Sequence, residues 1–455
     1  MNKRENVLGT MPIVPLLIKM SVPMMISMFV QAMYNIVDSM FVARISEDAL
    51  TAVSLAFPVQ MTMNAIAVGT GVGINACVSR FLGQGNQKSA QRAANVQVFL
   101  SAVYTLVFIL IGIFLVRPFF LAQTDIPGIV EGGVDYLRIV CLCCFGCFFC
   151  QNFEKLLVSL GSSAQSMIAQ ISGAVFNIVF DWFLIFGIGP FPEMGIKGAA
   201  LATVLGQFLS AIIAYIFVIR SKSGIRFRFR EMLPKWDIVR SIYSVGIPSM
   251  IIISLNSVMS FAMNQILLGF STTAAALLGV WLKLHSFGFM PVFGMNNGTV
   301  AIFSYNFGAG KIDRVRKTLS LALVVGFCVS LGVMIIYQCI PITLLKLFDA
   351  SPAMLDMGVP AVRICCFTLP IGAISVIYSS SFQSLRHPHY SLIVNLCRQV
   401  IFMLPIAWLL SLTGDLQKVW LALPIGEAIA LIVALGLNRK VSGMLREREQ
   451  ALQSL

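Results

Sequence analysis

The stretch SVPMMISMFVQAMYNIVDSMF, Ser21 to Phe41, reads as an apolar helix with Pro23 near its start and one carboxylate, Asp38, near its end. About 20 apolar residues cross the hydrocarbon core of a bilayer, so this stretch predicts a membrane helix. Within it Gln31, Asn35 and Asp38 follow i, i+4, i+7 spacing, and Tyr34 stands beside them. That sets four polar groups on or near one side of a lipid-compatible rod. An ionised Asp in hydrocarbon costs roughly 3 kcal/mol on insertion scales. It must face a cavity or a partner, or carry a proton. Two readings follow: an Asp that caps a neighbouring helix, or a site that couples an ion.

The rest of the chain agrees with a membrane solvent. It has 455 residues, 58% hydrophobic and 11% charged, with mean hydropathy +0.88. No soluble core uses that much apolar sequence, and the long unbroken runs exclude a β-barrel; the expected class is an all-α polytopic membrane protein. A net charge of +13 would suggest nucleic acid in a soluble protein, but here it is explained by basic loops. The apolar run near Ile13 is too long for a cleavable signal peptide, so the first helix is expected to be retained. The eleven cysteines lie in apolar runs and read as small hydrophobes rather than a disulfide framework. Overlapping C-x-x-C spacings from Cys141 to Cys150 fall on one expected helix, so packing is the reading there and metal is not.

Twelve spans are expected, at about 14–42, 50–76, 94–116, 134–159, 163–187, 197–219, 240–268, 274–301, 318–341, 358–383, 388–412 and 417–438. Basic residues crowd one set of loops, above all Arg220 to Arg240, which predicts cytoplasmic termini in a cell (inner) membrane. A fixed shift of 225 carries Pro23 onto Pro248, Gly69 onto Gly294, Gly73 onto Gly298 and Ser159-Leu160 onto Ser384-Leu385. It also carries Ser79-Arg80-Phe81-Leu82-Gly83-Gln84-Gly85 onto Ser304-Tyr305-Asn306-Phe307-Gly308-Ala309-Gly310. One gapless shift across several helices marks an internal repeat, and six spans per half give both halves one orientation. The expected domains are an N-lobe at 1–219, a basic linker at 220–239, a C-lobe at 240–438 and a tail at 439–455. Small residues such as Gly69, Gly71 and Gly73 let membrane helices approach; with no strand before them they are not a dinucleotide loop.

A partner for Asp38 is expected in the fifth span, where Asn177 and Asp181 share a face at i, i+4. Thr203 is a further polar candidate, and Asn152 could extend the cluster. Two carboxylates brought together in low dielectric repel. Such a pair can hold a proton and release it when water enters, or supply oxygens to Na⁺. A purely structural polar cluster is the alternative. The second half is not equivalent, since Asp38 falls on Met263 and Asp181 on Ile406. It holds Lys283, His285, Arg398 and Glu427 instead, and burial predicts an ion pair of Glu427 with Lys283 or Arg398, with a substrate or gating role as the alternative. Glu154 and Lys155 are expected to reach the interface from a helix end. No protease, lipase or phosphate-binding motif is present, which counts against an intramembrane enzyme or an ATP-driven pump.

Tyr34-Asn35-Ile36-Val37-Asp38, Phe57-Pro58, Ser79 to Gly85, Asn177 to Asp181, Gly198 to Thr203 and Tyr305 to Gly310 together resemble the multidrug and toxic compound extrusion (MATE) family. The resemblance implies a V-shaped pair of six-helix lobes that exports lipophilic organic cations against H⁺ or Na⁺, with no cofactor. In the subgroup with an N-lobe site it implies a cation site at Asp38, Asn177 and Asp181, with Asn152 and Thr203 in auxiliary positions. Gln31, Tyr34 and Asn35 become cavity candidates, and Pro23 a bending point. The expected function is secondary antiport by alternating access. The expected partners are small organic cations and membrane lipid, with no nucleic acid, and a monomer suffices. The alternatives are a lipid-linked precursor flippase of the same superfamily or, from a different class, an intramembrane enzyme or receptor.

Overall fold

The computed structural model describes residues 6–221, 224–348 and 350–454. The first half runs α1 (Val7–Thr10), α2 (Ile13–Ala43), α3 (Glu47–Gly83), α4 (Gln87–Phe114), α5 (Val116–Leu121), α6 (Pro127–Leu142), α7 (Phe145–Ser159), α8 (Ser163–Phe186) and α9 (Ile196–Arg220). The second runs α10 (Phe229–Met232), α11 (Trp236–Leu268), α12 (Thr272–Gly308), α13 (Ile312–Cys339), α14 (Pro341–Lys346), α15 (Pro352–Cys365), α16 (Thr368–Ser384) and α17 (Pro388–Leu396). It then passes through a π-helix at Cys397–Ile401 to α18 (Met403–Ser411), α19 (Leu416–Trp420) and α20 (Ala422–Gln453). Among the described residues ten helices are long and apolar enough to cross a membrane, or twelve if each of two bent pairs counts as one span.

The repeat reaches the ends of the helices. The shift of 225 carries both ends of α3, α4 and α5 onto those of α12, α13 and α14. The caps repeat too: Ser46 Oγ accepts from Ala49 N–H and Ser271 Oγ from Ala274 N–H, both at 3.0 Å. Each satisfies one of the donors that a helix start leaves free. The fourth and tenth spans, expected as single rods, are bent pairs: α6 and α7 meet at 47°, and α15 and α16 at 41°. The first bend falls at Cys143 and Cys144, inside the cysteine run.

One difference between the halves has a visible cause. α8 is unbroken, whereas its counterpart is α17, the π-helix and α18. Pro405 lies in α18 and has no N–H to return to Ile401, so the helical ladder cannot close there. The chain slips register instead, and Phe402 N–H donates to Cys397 O, five residues back, at 3.3 Å. The residue at the same place in α8 is Phe180, which keeps its donor.

The chain forms two compact units, residues 26–246 and residues 1–25 with 247–455. The divisions fall inside α2 and α11, not at the expected linker, so the described residues from 6 to 25 belong with the second half. Glycines explain the packing. A Cβ on Gly73 of α3 would meet the Ile242 backbone oxygen at 2.3 Å, so the start of α11 lies directly against α3. A Cβ on Gly298 of α12 would meet the Met20 backbone oxygen at 2.8 Å, so the start of α2 lies against α12 in the other unit. α1 is pinned in that unit by Asn306 and Arg314, which donate to the Leu8 carbonyl at 3.0 and 3.3 Å.

The basic segment between the halves docks on α4. Asn95 Nδ2 donates to the Arg226 carbonyl at 3.0 Å, and Asn95 Oδ1 accepts from Arg228 N–H at 2.7 Å. Lys222 of that segment lies outside the described residues.

Candidate functional site

The first unit has an open-sided cavity of about 80 Å³ between α2, α7, α8 and α9. α2 faces it with Ser27, Val30, Gln31 and Tyr34. These follow the i, i+3, i+4, i+7 stripe of one helix face. Asn35 is exposed and lines no part of the cavity. It sits roughly 90° round the helix from the middle of the stripe at ~100° per residue. Pro23 lies inside α2, two residues before the division between the units.

One turn beyond Tyr34, Asp38 meets Asp181 of α8, with their carboxyls within hydrogen-bonding reach of each other. Asp181 is 0% exposed. One oxygen of each, Asp38 Oδ1 and Asp181 Oδ1, is buried with no protein partner. Phe41, next along α2, packs on Trp182 and Phe186 with ring centroids 5.7 and 6.1 Å away, which fixes α2 against α8. Asn177, one turn before Asp181, lines the cavity with Thr203 of α9. With its amide turned to satisfy both ends, Asn177 Nδ2 donates to Asp181 Oδ2 at 3.2 Å and its oxygen accepts from Thr203 N–H at 3.1 Å. Thus Asp38, Asn177, Asp181 and Thr203 gather at one place, with Gln31 and Tyr34 adjoining.

Asn152 is elsewhere. It is buried on another side of α7 and donates to Ser101 Oγ of α4 at 2.7 Å. Glu154 takes its place in the cavity wall and is 1% exposed rather than reaching an interface. It accepts from Cys150 Sγ and Ser210 Oγ, both at 3.0 Å, and from Gln170 Nε2. Lys155, the next residue, is buried as well. Three donors converging on one carboxylate hold it at the cavity edge as a third acidic group. Its signal in the sequence was a charged pair one turn short of the helix end.

The arrangement is chemically acidic and oxygen-rich. Two carboxylates this close repel unless a proton or a cation lies between them, and the repulsion grows as water leaves. The oxygens of Asp38, Asp181, Asn177 and Thr203 are the hard ligands that Na⁺ uses, and the same oxygens can carry a proton. Among the described residues no group of three or more His, Cys, Asp and Glu is set to hold a metal ion.

The second half has filled the equivalent place with hydrocarbon. Met263 is buried in an apolar cluster, and Ile406 packs against it. Arg398 and Glu427 share a hollow with members of that cluster, among them Trp281, Met403 and Leu423. Arg398 Nε pairs with Glu427 Oε1 at 3.2 Å, so Glu427 has chosen Arg398 and not Lys283. Lys283 is exposed, with its ammonium 5.7 Å from the Phe348 ring centre. His285 stacks on Phe289 at 4.7 Å.

Comparison with known proteins sets this geometry in context. The family model MatE matches residues 23–183 and again 248–409, so it finds the two halves separately. A protein of Shewanella oneidensis named FAD transporter is 27% identical over 97% of both chains. A probable multidrug resistance protein NorM of Thermotoga maritima is 27% identical over 76% of this chain and 75% of its own. The multidrug export protein MepA of Staphylococcus saprophyticus is 24% identical over 91% of each. Among solved structures, an outward-facing multidrug resistance MATE family transporter of the MOP superfamily superposes with a TM-score of 0.92 at 24% identity, over 98% of this chain and 100% of that one. A MOP superfamily transporter from Pyrococcus furiosus, described by the reversed polarity of its binding pocket, superposes at 0.91, also at 24% identity, over 98% and 99%. At that identity these structures share the fold.

Proposed function

Because the chain belongs to the MatE family of multi-pass membrane transporters, we propose that it is a secondary antiporter exporting organic compounds, driven by H⁺ or Na⁺ entering at Asp38 and Asp181. The single observation that carries this reading is the meeting of a fully buried carboxylate, Asp181, with a half-buried one, Asp38, from a separate helix beside a polar cavity. Binding of either ion neutralises the pair and favours packing of α2 against apolar walls; its release leaves charge that keeps the cavity wet. Pro23 gives α2 a point at which to bend between those conditions. Both termini face the cytoplasm in this reading, as the basic loops require.

The acidic first cavity supports lipophilic cations as cargo. The name of the Shewanella relative adds a flavin dinucleotide, an anion, as a second candidate, and a cationic residue in the second half, Arg398, is the feature that favours it. The test is efflux from proteoliposomes under imposed pH or sodium gradients, with ethidium and FAD as separate cargoes. Export of ethidium under one gradient alone names the coupling ion. Asp38→Asn is expected to abolish gradient-driven export while the protein remains monodisperse. Wild-type export from that variant would refute the role.

A further inference from the structure

The second unit holds a hollow of about 260 Å³ whose wall includes Trp281, His285, Phe293, Arg398, Gln399 and Glu427. The Arg398 and Glu427 side chains are 11% and 9% exposed and touch through Nε and Oε1 at 3.2 Å. Glu427 Oε2 and Gln399 Oε1 are buried without a protein hydrogen-bond partner. Among the described residues Arg398 has no second carboxylate or carbonyl partner for its two Nη groups. Removing two charges from water costs several kcal/mol per ion, and a single contact returns little of it. The pair is therefore a poor stabiliser, and both residues line a space large enough for a solute. Arg398 and Gln399 also stand on the π-helical segment, a rare geometry that recurs at functional sites.

We propose that this hollow binds an organic anion, a phosphate or carboxylate borne on a planar ring. The anion takes the Nη edge of Arg398, whose fork fits two oxygens at once. A neighbouring N–H or O–H of the ligand donates to the Glu427 carboxylate or the Gln399 amide oxygen, and the ring lies against Trp281 and Phe293. The inference concerns binding and rests on the anionic-cargo reading of Arg398 given above, not on coupling at Asp38 and Asp181.

The experiment uses the purified full chain in detergent, titrated with flavin mononucleotide and followed by flavin fluorescence. Riboflavin, which has the ring without the phosphate, is the matched control. The expected result is flavin mononucleotide binding about tenfold tighter than riboflavin or more, a margin that disappears in Arg398→Met. The double variant Arg398→Met with Glu427→Met removes both charges and so avoids an uncompensated buried carboxylate. It is expected to lose the same margin while keeping the wild-type elution volume and melting temperature. Displacement of the flavin by phosphatidylglycerol in mixed micelles would support the site with a lipid headgroup as the source of the phosphate. Retention would support it with a soluble solute. Equal affinity for the two flavins, or a margin that survives in both variants, overturns the proposal.

Discussion

Asp38 and Asp181 were readable because an acid in an apolar run has few ways to be tolerated, and the i, i+4 spacing of Asn177 and Asp181 needs no tertiary information. Asn152 and Glu154 show where such reading stops. They stand ~200° apart around α7, so only one can face the cavity. The choice depends on the phase of α7 against α4, α8 and α9, which the bend at Cys143 and Cys144 resets. Ser101 holds Asn152 on one side, while Gln170 and Ser210 hold Glu154 on the other. Glu154→Gln keeps the size but turns an amide N–H₂ toward groups that already donate. We expect a loss of about 1–3 kcal/mol, visible as a lower melting temperature of the purified protein, with Glu154→Asp milder. An unchanged melting temperature would mean that the three donors do not need the charge.

At the level of helices, the glycine-rich second spans did foretell close approach, though not what approaches. The partner of Gly73 is the first turns of α11, a helix whose sequence lies some way along the chain and whose apolar composition offers every face alike. Gly73→Leu must push the Ile242 backbone away, and overpacking of this kind typically costs about 1–3 kcal/mol. The expected outcome is a poorly expressed protein of lowered melting temperature, and Gly298→Leu, against Met20, should match it. If Gly73→Leu melts with the wild type, the contact is slack. The π-helix was legible in principle from Pro405, which stands mid-span where the repeat has Phe180. Reading it required comparing the two copies residue by residue and asking which donor had been lost.

For the molecule as a whole, duplication preserved the backbone and released the side chains. Helix ends coincide at the fixed shift of 225, yet the acids of one copy stand where the other has Met263 and Ile406. The repeat could be read from glycines and prolines because those residues answer to backbone geometry. The chemistry could not be transferred between copies, because the two carboxylate positions of one copy hold Met263 and Ile406 in the other, and the polar groups there, Arg398 and Gln399, stand where the first copy has Gly173 and Ala174. Met263→Asp tests this asymmetry. It copies the residue of the first half into a fully buried apolar cluster, where an unpaired carboxylate has no partner. Loss of folded protein in detergent is expected, measured by size-exclusion chromatography. A well-behaved variant would show that the surroundings of Met263 can hydrate or pair a carboxylate.

The start of α2, seated on α12, sets an order of events during synthesis. Met20 and Met25 emerge from the ribosome early, but the glycines that receive them, Gly294 and Gly298, are made only after the whole first half has been translated. Until then the leading end of the chain has no permanent seat. The nascent first half must wait in the bilayer with the backbone at Met20 and Met25 not yet seated on those glycines.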